Sequence, residues 1–372
     1  MNDIQRPTWC DIDLAALENN YNAIQAHVGN SQVMPIVKAD AYGHGSTHVA
    51  AKLEELDVPC LGVAYVEEGI TLRNAGITTP IHVLGGAVER QIPLFLEHNL
   101  VFTAPSVDKL RQINEAAEAA KTKATVHLKI DTGMERIGVH HYNAATLFEA
   151  ALQCSEVKVE GVFTHFASAD EPELEFARLQ LERFLEALDF YPQHSLPYPT
   201  RHIANSAAIA ALPEAHLDLV RPGLMLYGIN PTAESAQTIA LQPVLSWRSE
   251  VIYFKVVEAG NPVSYGSTWA PQAATRVVTL PVGYADGYRR ALSNKAQVII
   301  GDQLHDVVGR VCMDQTMIDI KDSSAYNGDE VILIGSSDAH QIRVEDLAKW
   351  SETIPYEILT AITARVPRRW HT

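Results

Sequence analysis

Between Val33 and Arg221 short apolar segments alternate with amphipathic ones, eight times over, and few folds accept that rhythm. The apolar segments are Val33–Lys38, Leu61–Tyr65, Ile81–Leu84, Leu100–Thr103, Thr125–Ile130, Gly161–Thr164, Arg201–Ala204 and Leu217–Arg221. Each is too short for a buried helix and reads as a buried strand. Stretches with helical spacing lie between them, such as Ser106–Lys121, Ala144–Cys154 and Pro172–Leu188. Asp13 precedes Leu14, Leu17, Tyr21 and Ile24 at helical spacing, and Gly29 ends that run. Parallel strands need helical crossovers, and an open doubly wound sheet reverses after fewer strands. The alternation therefore predicts a closed (β/α)8 barrel, an α/β fold.

The rhythm stops at Gly228–Ala240, a stretch rich in small and polar residues. Strand candidates follow at Val244–Glu258, Thr275–Val282, Ala296–Ile300, Asp306–Val311, Thr316–Ile320 and Glu330–Gly335, then helical turns at Val344–Trp350 and Tyr356–Ala364. This predicts a mostly β second domain. The expected division is residues 1–240 for the barrel and 241–372 for the β domain, since 372 residues exceed one typical core.

A net charge of −16 opposes non-specific binding to nucleic acid or to an anionic membrane. No apolar run reaches membrane-spanning length. The opening MNDIQRPTWCDID lacks a charged-then-apolar export signal, which predicts a cytoplasmic protein. Cys10, Cys60, Cys154 and Cys312 are scattered, lack metal spacing and read as reduced thiols. His44 and His48 have the spacing of a metal pair but follow Gly43 in an expected loop without a local glutamate, so no metal is predicted.

In such a barrel, chemistry gathers where strands end. The first strand delivers Lys38, with Tyr42 just beyond. A lysine at the end of an apolar strand is desolvated toward its neutral, nucleophilic form, as an imine-forming lysine requires. The fifth strand contains Lys129 and leads to Arg136; the sixth ends at His165. The seventh ends at Asn205-Ser206, and the eighth at Arg221-Pro222-Gly223. Loops after strands seven and eight are the usual phosphate site of this barrel. With Lys38 expected on the opposite part of the ring, lysine and phosphate site would bracket an aldehyde phosphate, pyridoxal 5′-phosphate.

The segments PIVKADAYGHG, HLKIDTGMERIG, THFASAD, ANSAA, LVRPGLMLYG, VSYGSTW, PVGYADGY and GRVCMDQTMIDI together resemble the bacterial alanine racemases. The resemblance runs from the first strand to the terminal PRRW. It implies a pyridoxal-phosphate enzyme of barrel plus β domain that acts as a homodimer. It further implies that Lys38 holds the cofactor and is one racemisation base, and that Tyr265 is the other. Arg221 would face the pyridine nitrogen and His165 would stack on the ring. Tyr42, Ser206, Gly223, Leu224 and Tyr356 would bind phosphate. Arg136 and the Met313 amide would hold the substrate carboxylate, and Lys129 matches a lysine often carbamylated in the family. Tyr265 and Met313 would reach the partner's site, and D-alanine would supply peptidoglycan.

Two bases on opposite faces of Cα allow racemisation without moving the substrate. Alternatives are a serine or broad-specificity racemase of the same fold, a decarboxylase, or a non-catalytic pyridoxal-phosphate-binding protein. Decarboxylase chemistry calls for an acidic partner to the pyridine nitrogen, and Arg221 opposes it. A carrier made of the barrel alone would lack Tyr265.

Overall fold

A computed structural model describes residues 5–231 and 239–372. Part of the expected linker, residues 232–238, lies outside the described residues. Contacts divide the chain into two compact units: residues 16–41 with 46–242, and residues 5–15 with 42–45 and 243–372. The division therefore does not fall at a single point of the chain.

The first unit is an eight-stranded parallel ring. Its segments are Gln32–Val33, Leu61–Val63, Ile81–Val83, Phe102–Ala104, Ala124–Asp131, Val157–Phe163, Thr200–His202 and Leu219–Val220. Neighbours are joined by parallel pairing or single bridges, except the seventh and eighth, which meet through hydrogen bonds such as Arg221 N–H to Ala204 O (2.9 Å). The ring closes where Met34 N–H donates to Val220 O (2.8 Å) and Ile36 N–H to Pro222 O (3.0 Å). Closure makes the first and eighth strands neighbours. This corrects the expectation that Lys38 enters opposite the phosphate turn.

Strand Ala124–Asp131 shows how the ring sorts its side chains. Val126, Leu128 and Ile130 are buried on one face, and His127, Lys129 and Asp131 alternate onto the other. His127 meets His202 and Arg221 lies beyond it, so this second face is the interior. The lumen is thus polar. Gly161 makes room for it: a Cβ there would lie 2.4 Å from His127 Nδ1.

The second unit is a mostly antiparallel sheet. Strand Leu245–Glu250 pairs with Glu330–Ser336 on one side and Thr8–Asp13 on the other. Arg368–His371 then adds in parallel to Thr8–Asp13. Alternation puts Leu245, Trp247 and Ser249 inside. The single strand expected over 244–258 is two, Leu245–Glu250 and Tyr253–Val257. Val251 N–H turns aside to Asp329 O between them. Thr8–Asp13 was not anticipated, because its partners lie far along the chain. His48 lies in helix Ser46–Glu55 rather than in a loop, and His44 is buried with Nδ1 3.0 Å from Tyr42 O.

Candidate active site

Regular pairing on the first strand ends well before Lys38, which opens a turn spanning Lys38–Gly43. Ala39, Asp40, Ala41 and Tyr42 all have φ of 52–53°. This is one turn of left-handed helix built from residues that carry a Cβ, which costs roughly 1–2 kcal/mol per residue. Local preference opposes such a turn, so its surroundings must impose it. Ala39 N–H donates to Glu68 Oε1 (2.6 Å), Ala41 N–H to Val37 O (2.9 Å) and Ser46 N–H to Asp40 Oδ1 (2.7 Å). Lys38 is half-buried, and no described residue gives its amine a hydrogen bond. Burial lowers its pKa, Arg136 lowers it further, and Glu68 partly opposes both.

The adjacent eighth strand ends in a donor-rich turn. Gly223 N–H (3.0 Å) and Met225 N–H (3.3 Å) both donate to Ser206 Oγ. With those lone pairs engaged, the Ser206 hydrogen is left to donate outward. Asn205 caps the helix that Ser206 opens, its side chain accepting from Ala208 N–H (3.0 Å). Leu224 opens a short 3-10 turn, where first N–H groups have no intrahelical acceptor. Two such ends on neighbouring strands present hydrogen-bond donors of the kind that suit an anion.

Arg221 is only 4 % exposed, and both of its Nη atoms are engaged within the barrel. Nη1 donates to His202 Nδ1 (2.7 Å), and Nη2 to Thr164 O (2.8 Å), Ile203 O (2.9 Å) and His165 Nδ1 (3.2 Å). Burial pulls its pKa down to about 9, which still leaves the group charged at neutral pH. Beneath it stand three buried histidines that sequence reasoning missed: His82, His127 and His202. Their signal was present, since each interrupts an apolar strand. Because Arg221 donates to His202 Nδ1, the His202 hydrogen sits on Nε2 and points to His127 Nδ1 (2.8 Å). Thr103 Oγ1 donates to Val83 O, so it accepts from His82 Nε2 (3.0 Å). Burial, reinforced by Arg221, holds His127 down to about 3 and keeps its two companions neutral. A cation here would need the nitrogen at which His202 carries its hydrogen, beside a buried guanidinium.

His165 is also held neutral, by burial and then by Arg221, Lys129, Arg136 and Lys38. Lys129 is 3 % exposed, with its amine 4.8 Å from the Phe163 ring centre and no ion pair among the described residues. Burial first, then Arg221 and Arg136, disfavour its charge; Asp131 only partly offsets them. The Asp131 carboxylate accepts from Gly133, Glu135 and Arg136 N–H (2.8, 3.2 and 3.1 Å), which shapes the loop bearing Arg136. Glu135 pairs with His140 Nε2 (2.9 Å) rather than with Arg136.

In the β unit, Tyr265 is 72 % and Met313 52 % exposed. Their loops are tied together, since Ser264 Oγ donates to Arg310 O (2.6 Å) and lies 3.4 Å from Cys312 Sγ. The adjoining loop brings a second exposed aromatic, Tyr284, whose N–H donates to Cys312 O (3.0 Å). Tyr42 and Tyr356 meet with ring centres 5.9 Å apart.

Family models for the alanine racemase N-terminal domain and the alanine racemase C-terminal domain match residues 12–231 and 244–370. The chain belongs to the alanine racemase family. The alanine racemase of Halothermothrix orenii is 42 % identical over 369 residues, 99 % of this chain and 97 % of that one. That of Carboxydothermus hydrogenoformans is 42 % identical over 365 residues, 98 % of this chain and 99 % of that one. The crystal structure of alanine racemase from D-cycloserine-producing Streptomyces lavendulae superposes with a TM-score of 0.95 at 35 % identity, covering 100 % of this chain and 98 % of that one. Alanine racemase from Bartonella henselae with covalently bound pyridoxal phosphate gives 0.89 at 26 % identity, covering 98 % and 99 %.

For an alanine racemase the barrel unit thus brings together Lys38, Arg136, Lys129, His165, Ser206, Arg221, Gly223 and Leu224. The other site residues named from the sequence, Tyr42, Tyr265, Met313 and Tyr356, belong to the β unit. No helix among the described residues is long and apolar enough to cross a membrane.

Proposed function

We propose that this chain interconverts L- and D-alanine with pyridoxal 5′-phosphate, with Lys38 and Tyr265 as the two bases. The observation that carries this reading is the meeting, at neighbouring strand ends, of a half-buried amine whose charge burial disfavours, a donor-rich turn and a guanidinium held within the barrel. The donor set fits the cofactor. The Ser206 hydroxyl and Leu224 amide would take its phosphate, with Gly223 shaping the turn and Tyr42 and Tyr356 assisting. Lys38 would hold its aldehyde carbon, His165 would cover the ring, and Arg221 would face the ring nitrogen. When bound, the cofactor supplies an electron sink that acidifies the α-proton of the amino acid.

The remaining steps belong to the chain. Lys38 Nζ takes or returns the α-proton on one face, and Tyr265 Oη does so on the other. Burial and Arg136 favour the neutral Lys38 amine that this exchange needs. A charged guanidinium only donates, so Arg221 would leave the ring nitrogen without an added proton and moderate the electron sink. Arg136 and the Met313 amide would hold the substrate carboxylate. A neutral Lys129 amine can add carbon dioxide with loss of a proton. The resulting carbamate would face Arg136 with opposite charge.

Exposed Tyr265, Met313 and Tyr284 support a homodimer in which Tyr265 and Met313 of one protomer complete the barrel site of its partner. The setting we infer is the cytoplasm, with D-alanine delivered to peptidoglycan. Borohydride reduction of the cofactor-loaded protein should fix the cofactor mass on the Lys38 peptide. Lys38→Ala should carry no label and lose racemisation; a label on another lysine would overturn the assignment.

A further inference from the structure

We propose that Glu68 is a positioning residue that holds the Lys38 turn in its left-handed form, through one carboxylate shared among three backbone amides. The proposal rests on the reading of Lys38 as the cofactor lysine. Glu68 is the third residue of helix Val66–Asn74. Its Oε2 accepts from Ala64 N–H (2.7 Å) and Tyr65 N–H (3.1 Å), the usual work of a glutamate in a capping box. Its Oε1 does something else: it crosses to the neighbouring strand and accepts from Ala39 N–H at 2.6 Å. That amide belongs to the peptide between Lys38 and the first left-handed residue. Fixing it orients the peptide plane and, with it, the direction of the Lys38 side chain.

The turn needs such a restraint. Ala39, Asp40, Ala41 and Tyr42 carry side chains that disfavour positive φ, and no glycine occurs before Gly43. Asp40 closes the far end through Ser46 N–H. Glu68 is the corresponding clasp at the Lys38 end. A carboxylate is uniquely suited to this place, because all three groups facing it are donors. Glutamine would turn an NH2 group toward one of those amides, and aspartate is too short to reach both strands. The charge has a second effect. Burial and Arg136 favour the neutral Lys38 amine, His165 lies nearby and neutral, and the Glu68 carboxylate counters them. It thereby limits how far the amine is discharged.

The test compares wild type, Glu68→Gln and Glu68→Asp as full-length protein. Hydrogen exchange read by mass spectrometry should show residues 39–43 exchanging at least about tenfold faster in both variants. Strands 124–131 and 157–163 should stay unchanged. After the cofactor is stripped with hydroxylamine, acylation of Lys38 by acetic anhydride is followed against pH. Its midpoint should fall in Glu68→Gln and stay near wild type in Glu68→Asp, which keeps the charge. Unchanged exchange at 39–43, an equal rise across the barrel, or an unmoved midpoint in Glu68→Gln would each overturn the proposal. Neither readout requires the cofactor to attach at Lys38. A failed borohydride label would therefore overturn the reading of Lys38 while leaving the clasp standing.

Discussion

Gly161→Ala should destabilise the protein although alanine is the better strand residue and Gly161 is not among the glycines with positive φ. The new Cβ would lie 2.4 Å from His127 Nδ1, 2.6 Å from Cε1 and 2.9 Å from Cγ. Ordinary carbon contacts need about 3.5 Å or more, so the imidazole must retreat by about 1 Å. It has nowhere to go: the His82 ring centre stands 4.3 Å away, and His127 Nδ1 is tied to His202 Nε2 at 2.8 Å. Overpacking a filled core costs about 1–3 kcal/mol. Breaking the His127–His202 bond leaves a buried donor unmet, about 1–3 kcal/mol more. Reduced freedom of the unfolded chain returns only about 0.4–1 kcal/mol. The net loss should be about 1–6 kcal/mol, read as a lower urea midpoint with an unchanged slope. Adding His127→Ala empties the contested space, so the double variant should be about 1–3 kcal/mol more stable than the sum of the singles. A Gly161→Ala protein within about 0.5 kcal/mol of wild type, or strict additivity, would refute the packing argument.

Lys38→Ala and Tyr265→Phe should each be inactive yet complement when mixed under subunit exchange, recovering roughly a quarter of wild-type activity, because half the dimers are mixed and each has one intact site of two. No recovery would mean that Tyr265 serves its own chain. Protein equilibrated with 13C-labelled carbon dioxide should show a bound carbamate resonance that Lys129→Ala abolishes, and its absence in wild type would leave Lys129 a plain amine. Burial tends to raise the pKa of Asp11, but bonds from Arg369, His371 and Trp9 prevail and hold it at about 2, against 3.8 ordinarily. Its contribution is therefore complete above about pH 4–5 and lost as pH falls toward 2. Asp11→Asn should be less stable at neutral pH and converge with wild type in acid, and parallel curves would show that Asp11 contributes nothing through its charge.

Much of the architecture was legible because it is written in local periodicity. Helix Val344–Trp350 falls where the sequence placed it, and strand Ala124–Asp131 within a residue at each end. The residues at the barrel mouth were legible for a related reason: a lysine, an arginine or a histidine after an apolar run lies where a parallel strand ends.

What the sequence determined by itself was this rhythm, the polar residues that punctuate it, and the family to which their order corresponds. Tertiary structure decided the rest. Ring closure made the first strand the neighbour of the eighth, so the Lys38 turn follows the strand beside the Gly223 turn rather than one across the ring. Long-range pairing drew Thr8–Asp13 into the β unit. Glu68 and Asp40 imposed a left-handed turn that Ala39 to Tyr42 would not adopt alone, and three histidines scattered along the chain became the floor beneath Arg221. These outcomes depend on hydrogen bonds and burial between residues far apart in sequence, whose energies outweigh local preference and leave no periodic trace along the chain.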